Sequence, residues 1–132
     1  MEIPDQDELP GHLRAFLYSC IDSVEQLEIL MMLRMSGGSR TARKVAREAG
    51  LTDARARVYL DALAARGLVH ATIRDAELTY TFRPASETLA SYCSELAVRL
   101  ETSRSDVLQF VAALPPPSVR AFAKAFRLRE SD

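Results

Sequence analysis

Cysteine and histidine are scarce in this chain, no glycine-rich loop occurs, and long hydrophobic runs are missing. Each shortage excludes something. The two cysteines, Cys20 and Cys93, form no CxxC pair, and His12 and His70 have no i,i+4 partner and no cysteine at ligand spacing. That argues against a metal site and leaves two reduced, buried thiols as the expectation. With no phosphate-cradling loop and no nucleophile-and-base signature, the chain does not read as an enzyme, and no cofactor is expected. An apolar run such as Ile29-Leu30-Met31-Met32-Leu33 is far too short for a membrane span. The first residues, Met1-Glu2-Ile3-Pro4-Asp5, are acidic and lack the basic start and apolar stretch of a signal peptide, so a soluble, cytoplasmic protein without a membrane partner is expected.

What is present is a 132-residue chain, 48% hydrophobic, enough to bury one core. Its formal charge of −1 conceals an asymmetry. Residues 1–28 hold seven carboxylates against Arg14 alone, whereas residues 40–74 hold eight basic side chains against Glu48, Asp53 and Asp61. Net charge argues against nucleic acid; its distribution argues for it.

The chain divides by its punctuation. Residues 1–22 read as an acidic segment followed by a helix with Leu13, Phe16, Leu17, Cys20 and Ile21 at helical spacing. Ser23-Val24-Glu25-Gln26 has the form of a capping box and starts a second helix, which stops at Gly37-Gly38. Thr41 caps a short helix over residues 42–49 with Val45, Ala46 and Ala49 inward, and Gly50 suits a left-handed stop. Thr52 caps the next helix, which buries Ala56, Tyr59 or Leu60, and Leu63 and ends at Gly67. Two short strands follow, residues 70–73 and 78–83, the second alternating Leu78, Tyr80 and Phe82 with polar neighbours.

Residues 85–114 read as one long helix. Leu89, Cys93, Leu96, Leu100, Ser103, Val107, Phe110 and Leu114 recur at alternating four and three spacing, a heptad stripe that fits pairing with a second copy, or with the N-terminal helix, better than wrapping back over its own domain. The stretch around Ser103 is its weak spot. Pro115-Pro116-Pro117 stops it, and residues 118–129 read as a short basic amphipathic helix, with Phe122 and Phe126 on its apolar side and Arg120 among its basic residues, that packs back on the acidic N-terminal helix or on a dimer partner.

The order helix, short helix, tight turn, helix, hairpin, long helix resembles a winged helix-turn-helix. The resemblance rests on Thr41-Ala42-Arg43-Lys44-Val45-Ala46-Arg47-Glu48-Ala49-Gly50-Leu51-Thr52 and on Val58, Leu60, Leu63 and Gly67-Leu68-Val69. With helices flanking residues 23–84 on both sides, the whole looks most like the MarR group of bacterial transcriptional regulators. That resemblance implies a mainly α fold with a small β-hairpin, a homodimer, and double-stranded DNA as partner. It puts Asp53, Ala54, Arg55, Arg57 and Val58 of the recognition helix in the major groove, Arg40, Thr41, Arg43, Lys44 and Arg47 on phosphates, and Arg74 at the wing tip. It also assigns Leu13, Phe16, Leu17, Leu89, Cys93, Leu96, Leu100, Val107, Phe110, Leu114, Phe122 and Phe126 to the dimer. Two features depart from the group: Val58 has no polar atom for a base edge, and Asp75 and Glu77 flank the only basic residue of the wing tip. They leave open a second reading, a winged-helix module that binds a protein partner instead of DNA.

Overall fold

A computed structural model describes residues 9–120. The first helix, α1 (Gly11–Cys20), ends where Ile21 turns extended (φ −119°, ψ 129°), so residues 21–23 separate two helices instead of kinking one. Ser23 then caps α2 (Val24–Ser36), its hydroxyl accepting the Gln26 N–H at 3.1 Å. Gln26 closes the capping box one residue early: its Oε1 accepts the N–H of Asp22, at 2.6 Å.

After Gly37 and Gly38 the chain makes a strand absent from the sequence reading, β1 (Ser39–Thr41). Three residues are too few to show a period of two. Thr41 ends β1 and caps α3 (Ala42–Ala49), and Gly50 closes that helix at φ 73°, ψ 34°, a conformation that glycine adopts without a Cβ clash. Thr52 caps α4 (Asp53–Ala65) by accepting the Arg55 N–H. At Gly67 (φ 80°) an added Cβ would also lie 3.2 Å from the Ala85 Cβ, a tight contact, so both conformation and space favour glycine there.

The hairpin pairs β2 (Val69–Arg74) with β3 (Glu77–Phe82), closed by Asp75 and Ala76, both left-handed at φ 53° and 66°. That is the geometry of a two-residue turn whose twist matches the strands. The sheet order is β1-β3-β2, all antiparallel. Helices with a three-stranded sheet, its hairpin following α4, constitute the expected winged helix-turn-helix.

The long helix is corrected. Ser103 (φ −143°, ψ 47°) breaks it into α5 (Glu87–Thr102) and α6 (Arg104–Ala112). The break lets α6 fold back onto α2, so part of the heptad stripe is buried within the chain. Cys93, Leu96 and Val107 are fully buried, while Leu89, Leu100, Phe110 and Leu114 pack half-buried against the same core. Leu13, Phe16 and Leu17 of α1 are buried there too. Ala49, expected inward, is exposed at the end of α3. Phe122 and Phe126 lie outside the described residues. No helix among the described residues is long and apolar enough to cross a membrane.

One polar joint ties the two ends of this core together. Arg120, a basic residue of the segment expected to pack back on the acidic N-terminal helix or on a dimer partner, is only 6% exposed and lies against the end of α1. Its guanidinium donates to the carbonyls of Tyr18 (2.6 Å), Ile21 (2.8 Å) and Pro115 (2.9 Å) and to Asp22 Oδ1 (3.2 Å). These carbonyls surround the end of α1 and the proline stop, where backbone acceptors have no helical partner. Asp22 Oδ1 also pairs with Arg66 at 3.1 Å, and Arg66 donates to the Cys20 carbonyl at 2.7 Å. Cys93 sits nearby in the core: burial first, and the Cys20 thiol after it, push its pKa up to about 11 against the opposing charge of Arg34.

Candidate nucleic-acid interface

The interface is built on α3, the Gly50 turn and α4. Burying Val45 and Ala46 turns Arg43, Lys44 and Arg47 outward, and burying Ala56, Leu60 and Leu63 turns the opposite side of α4 outward. Asp53, Ala54, Arg55, Arg57 and Val58 are all exposed there. Asp53 occupies the first turn of α4, where the helix dipole favours an anion.

Most of these arginines already have a carboxylate. Arg55 reaches back to α2: its Nε and Nη2 both contact Glu25 Oε1, at 3.1 and 3.0 Å. The same oxygen accepts the Tyr59 hydroxyl at 2.8 Å, and the guanidinium lies over the Tyr59 ring, 5.8 Å from its centroid. Tyr59 first, and Glu25 after it, raise the Arg55 pKa above its ordinary value. Glu25 thus occupies one edge of the guanidinium and leaves the Nη1 end open. Arg57 stands 3.8 Å from Asp61, one turn on, and Asp61 also accepts the hydroxyl of buried Tyr80 at 2.6 Å. Burial, and then the bond to Asp61, push the Tyr80 phenol up to about 12.

On α3, Arg43 contacts Glu77 of the wing at 3.3 Å. That contact removes one of the two carboxylates expected to repel phosphate at the tip; Asp75 remains beside Arg74, both exposed. Arg40 is half-buried, with Ser36 at 3.3 Å and Glu48 at 3.6 Å. The Thr41 hydroxyl is taken by its capping bond to Lys44 N–H. Lys44, Arg47 and Arg74 form no ion pair among the described residues.

The sequence reading placed Arg66 in this basic cluster. It is turned the other way, onto Asp22, and belongs to the joint at the end of α1. Glu25 and Glu77 were missed as partners of the face. Nothing in the sequence ties Glu25 to a residue thirty positions on, and it reads simply as an acid in a helix's first turn.

Among the described residues no group of three or more side chains could hold a metal ion. Two shallow cavities flank α2: one of about 240 Å³ between Glu25, Glu28, Met32, Glu48 and Leu51, the other of about 180 Å³ beside Met31, Met35, Leu100 and Leu108. Tyr18, Tyr59, Tyr92 and Phe110 line neither of these two. Tyr92 instead packs on Phe16 and His12, at 5.6 and 5.5 Å.

No family model matches the chain, and no curated protein matches it in sequence. Solved structures do match its fold. A homodimeric winged helix-turn-helix DNA-binding domain from Mycobacterium bovis, a possible ArsR-family transcriptional regulator, is 22% identical with a TM-score of 0.55, over 78% of this chain and 92% of that one. BpsR of Bordetella bronchiseptica, whose DNA binding is regulated by 6-hydroxynicotinic acid, is 18% identical with a TM-score of 0.52, over 96% of both chains. A MarR mutant from E. coli, solved with operator DNA, is 13% identical with a TM-score of 0.51, over 91% of this chain and 83% of that one. At these identities the likeness is one of fold alone, the winged helix-turn-helix that these structures share.

Proposed function

We propose that this chain is a transcriptional regulator, not an enzyme, that binds double-stranded DNA sequence-specifically as a homodimer. One observation carries the reading. Arg43, Lys44 and Arg47 on α3 and Arg55 and Arg57 on α4 are all exposed on two helices joined by a tight left-handed turn. In this reading α4 enters the major groove by its N-terminal half while Lys44 and Arg47, which have no carboxylate to give up among the described residues, lie on phosphates. Arg55 approaches with one edge held by Glu25 and offers the other to the O6 and N7 acceptors of guanine. Arg43 exchanges Glu77 for a phosphate, an easy exchange because an exposed ion pair contributes little.

The homodimer would use the apolar surface that α5 and α6 leave uncovered: Leu89, Leu100, Phe110 and Leu114, together with exposed Val98. Phe122 and Phe126 remain candidates for the same surface. Two-fold symmetry would then present two α4 helices to successive major grooves, about 34–36 Å apart.

The test is selection of genomic fragments by the purified protein at near-physiological salt, with sequencing as readout and sedimentation to fix the oligomeric state. Enrichment of a pseudo-palindrome by a dimer is the expected result. Folded protein that enriches nothing overturns the reading and leaves a protein-binding module in its place.

A further inference from the structure

On α4, the residues opposite the buried line of Ala56, Leu60 and Leu63 are Ala54, Val58, Asp61 and Ala65, all exposed. Successive residues turn by about 100°, so these four form one stripe along the outer crest of the helix. Arg55 and Arg57 lie on its two flanks, one drawn toward Glu25 on α2 and the other toward Asp61. The part of the helix that would go deepest into a groove therefore carries, in its first two turns, only methyl groups.

Val58 is 65% exposed, and nothing in the fold accounts for it. A β-branched residue at an exposed helical position costs helix stability and here gains no packing in return. As a protein-docking patch the spot is too small: Ala54 and Val58 are ringed by Asp53, Arg55, Arg57 and Asp61, whereas such patches run to a few hundred Å² of contiguous apolar surface. In the major groove, however, one base edge carries an apolar group, the C5-methyl of thymine.

We infer that Ala54 and Val58 are specificity-determining residues that select thymine by its C5-methyl group. The inference rests on the DNA-binding reading above and specifies what its central helix reads. Val58 suits the task because its side chain is stiff in a helix, so its methyl groups are positioned before contact and little rotamer freedom is lost on binding. The flanking arginines then fix register and guanine positions, and the crest discriminates by shape and apolar contact.

The test begins with the duplex enriched in the genomic selection. Each thymine is replaced in turn by deoxyuridine, which lacks only the methyl, and dissociation constants are measured by fluorescence anisotropy for the wild type and for Val58→Ala. At one or two positions per half-site, deoxyuridine should weaken wild-type binding by about three- to tenfold, the effect of one buried methyl. Val58→Ala should bind thymine and deoxyuridine equally at one of those positions, with an unchanged circular dichroism spectrum. The inference is overturned if no thymine responds, or if Val58→Ala keeps the full response. Failure of the DNA-binding reading looks different, since then no duplex is enriched.

Discussion

Arginine does two different jobs in this molecule. Around Asp22, Arg66 and Arg120 face inward, donate to backbone carbonyls and share one carboxylate oxygen. On α3 and α4, Arg43, Arg55 and Arg57 face outward and meet Glu77, Glu25 and Asp61 in solvent. The residue type is the same, and the local sequence around Arg66 is no less basic than that around Arg57. What separates them is burial and the number of fixed acceptors. An inward guanidinium with several carbonyl partners has nowhere else to go, whereas an outward one holds its carboxylate loosely and can trade it for a phosphate.

The largest test of that distinction is Asp22→Ala, which strips the buried Arg120 of its counter-charge. Breaking such a pair from one side costs about 3 kcal/mol or more, and urea unfolding should show a lower midpoint with an unchanged m-value. A midpoint that did not move would mean that the carbonyls alone satisfy Arg120, and the contrast between the two sets would narrow. Next comes Arg55→Ala. Its expected effect is on choice, not on folding: preference for the selected duplex over one altered at its guanine should fall by about tenfold, with the melting temperature unchanged. Glu25→Gln sharpens the point. If Glu25 orients Arg55, the same preference falls while binding to random duplex rises; a rise in both together would make Glu25 a competitor of DNA.

Tyr80→Phe tests the boundary between the sets, because Asp61 serves the buried phenol and the exposed Arg57 at once. Losing that hydrogen bond should cost about 1 kcal/mol. The folded phenol titrates at about 12 against an ordinary value of 10.0, so it favours the folded state fully below the lower value and loses that contribution as pH rises toward the higher one. The buried Cys93 thiol behaves alike between its ordinary 9.0 and about 11. Stability measured by chemical denaturation should therefore decline from about pH 9 upward, and Tyr80→Phe should flatten the upper part of that decline. The smallest effect belongs to Lys44→Ala, which should lower the slope of log affinity against log salt by about 1 and reduce binding to all duplexes evenly. No change in slope would remove Lys44 from the phosphate contacts.

The caps, the Gly50 stop, α4 and the hairpin were legible because each is written in residues a few positions apart. Ser23, Thr41 and Thr52 announce helix starts by chemistry that acts over three residues. The break at Ser103 was visible only as a weak spot, since a heptad stripe looks the same whether its partner is another chain or α2 folded alongside. Strand β1 gave no pattern at all; it exists because β3 offers it an edge. The basic face was legible as a cluster, but not the orientation of its members. Arg66 and Arg120 are turned inward by Asp22, and Arg55 is held by Glu25, at separations no local pattern encodes.

The Asp22–Arg120 contact also has a kinetic side. It joins residues 98 positions apart, nearly the whole described chain. Closing so long a loop is entropically costly until intervening helices have shortened the path, so the contact is expected to form after the folding barrier has been crossed. Its loss should then accelerate unfolding and leave the folding rate almost untouched, which stopped-flow measurements on Asp22→Ala would read directly. In that sense the contact is a timer: it sets how long each molecule stays folded once it has arrived.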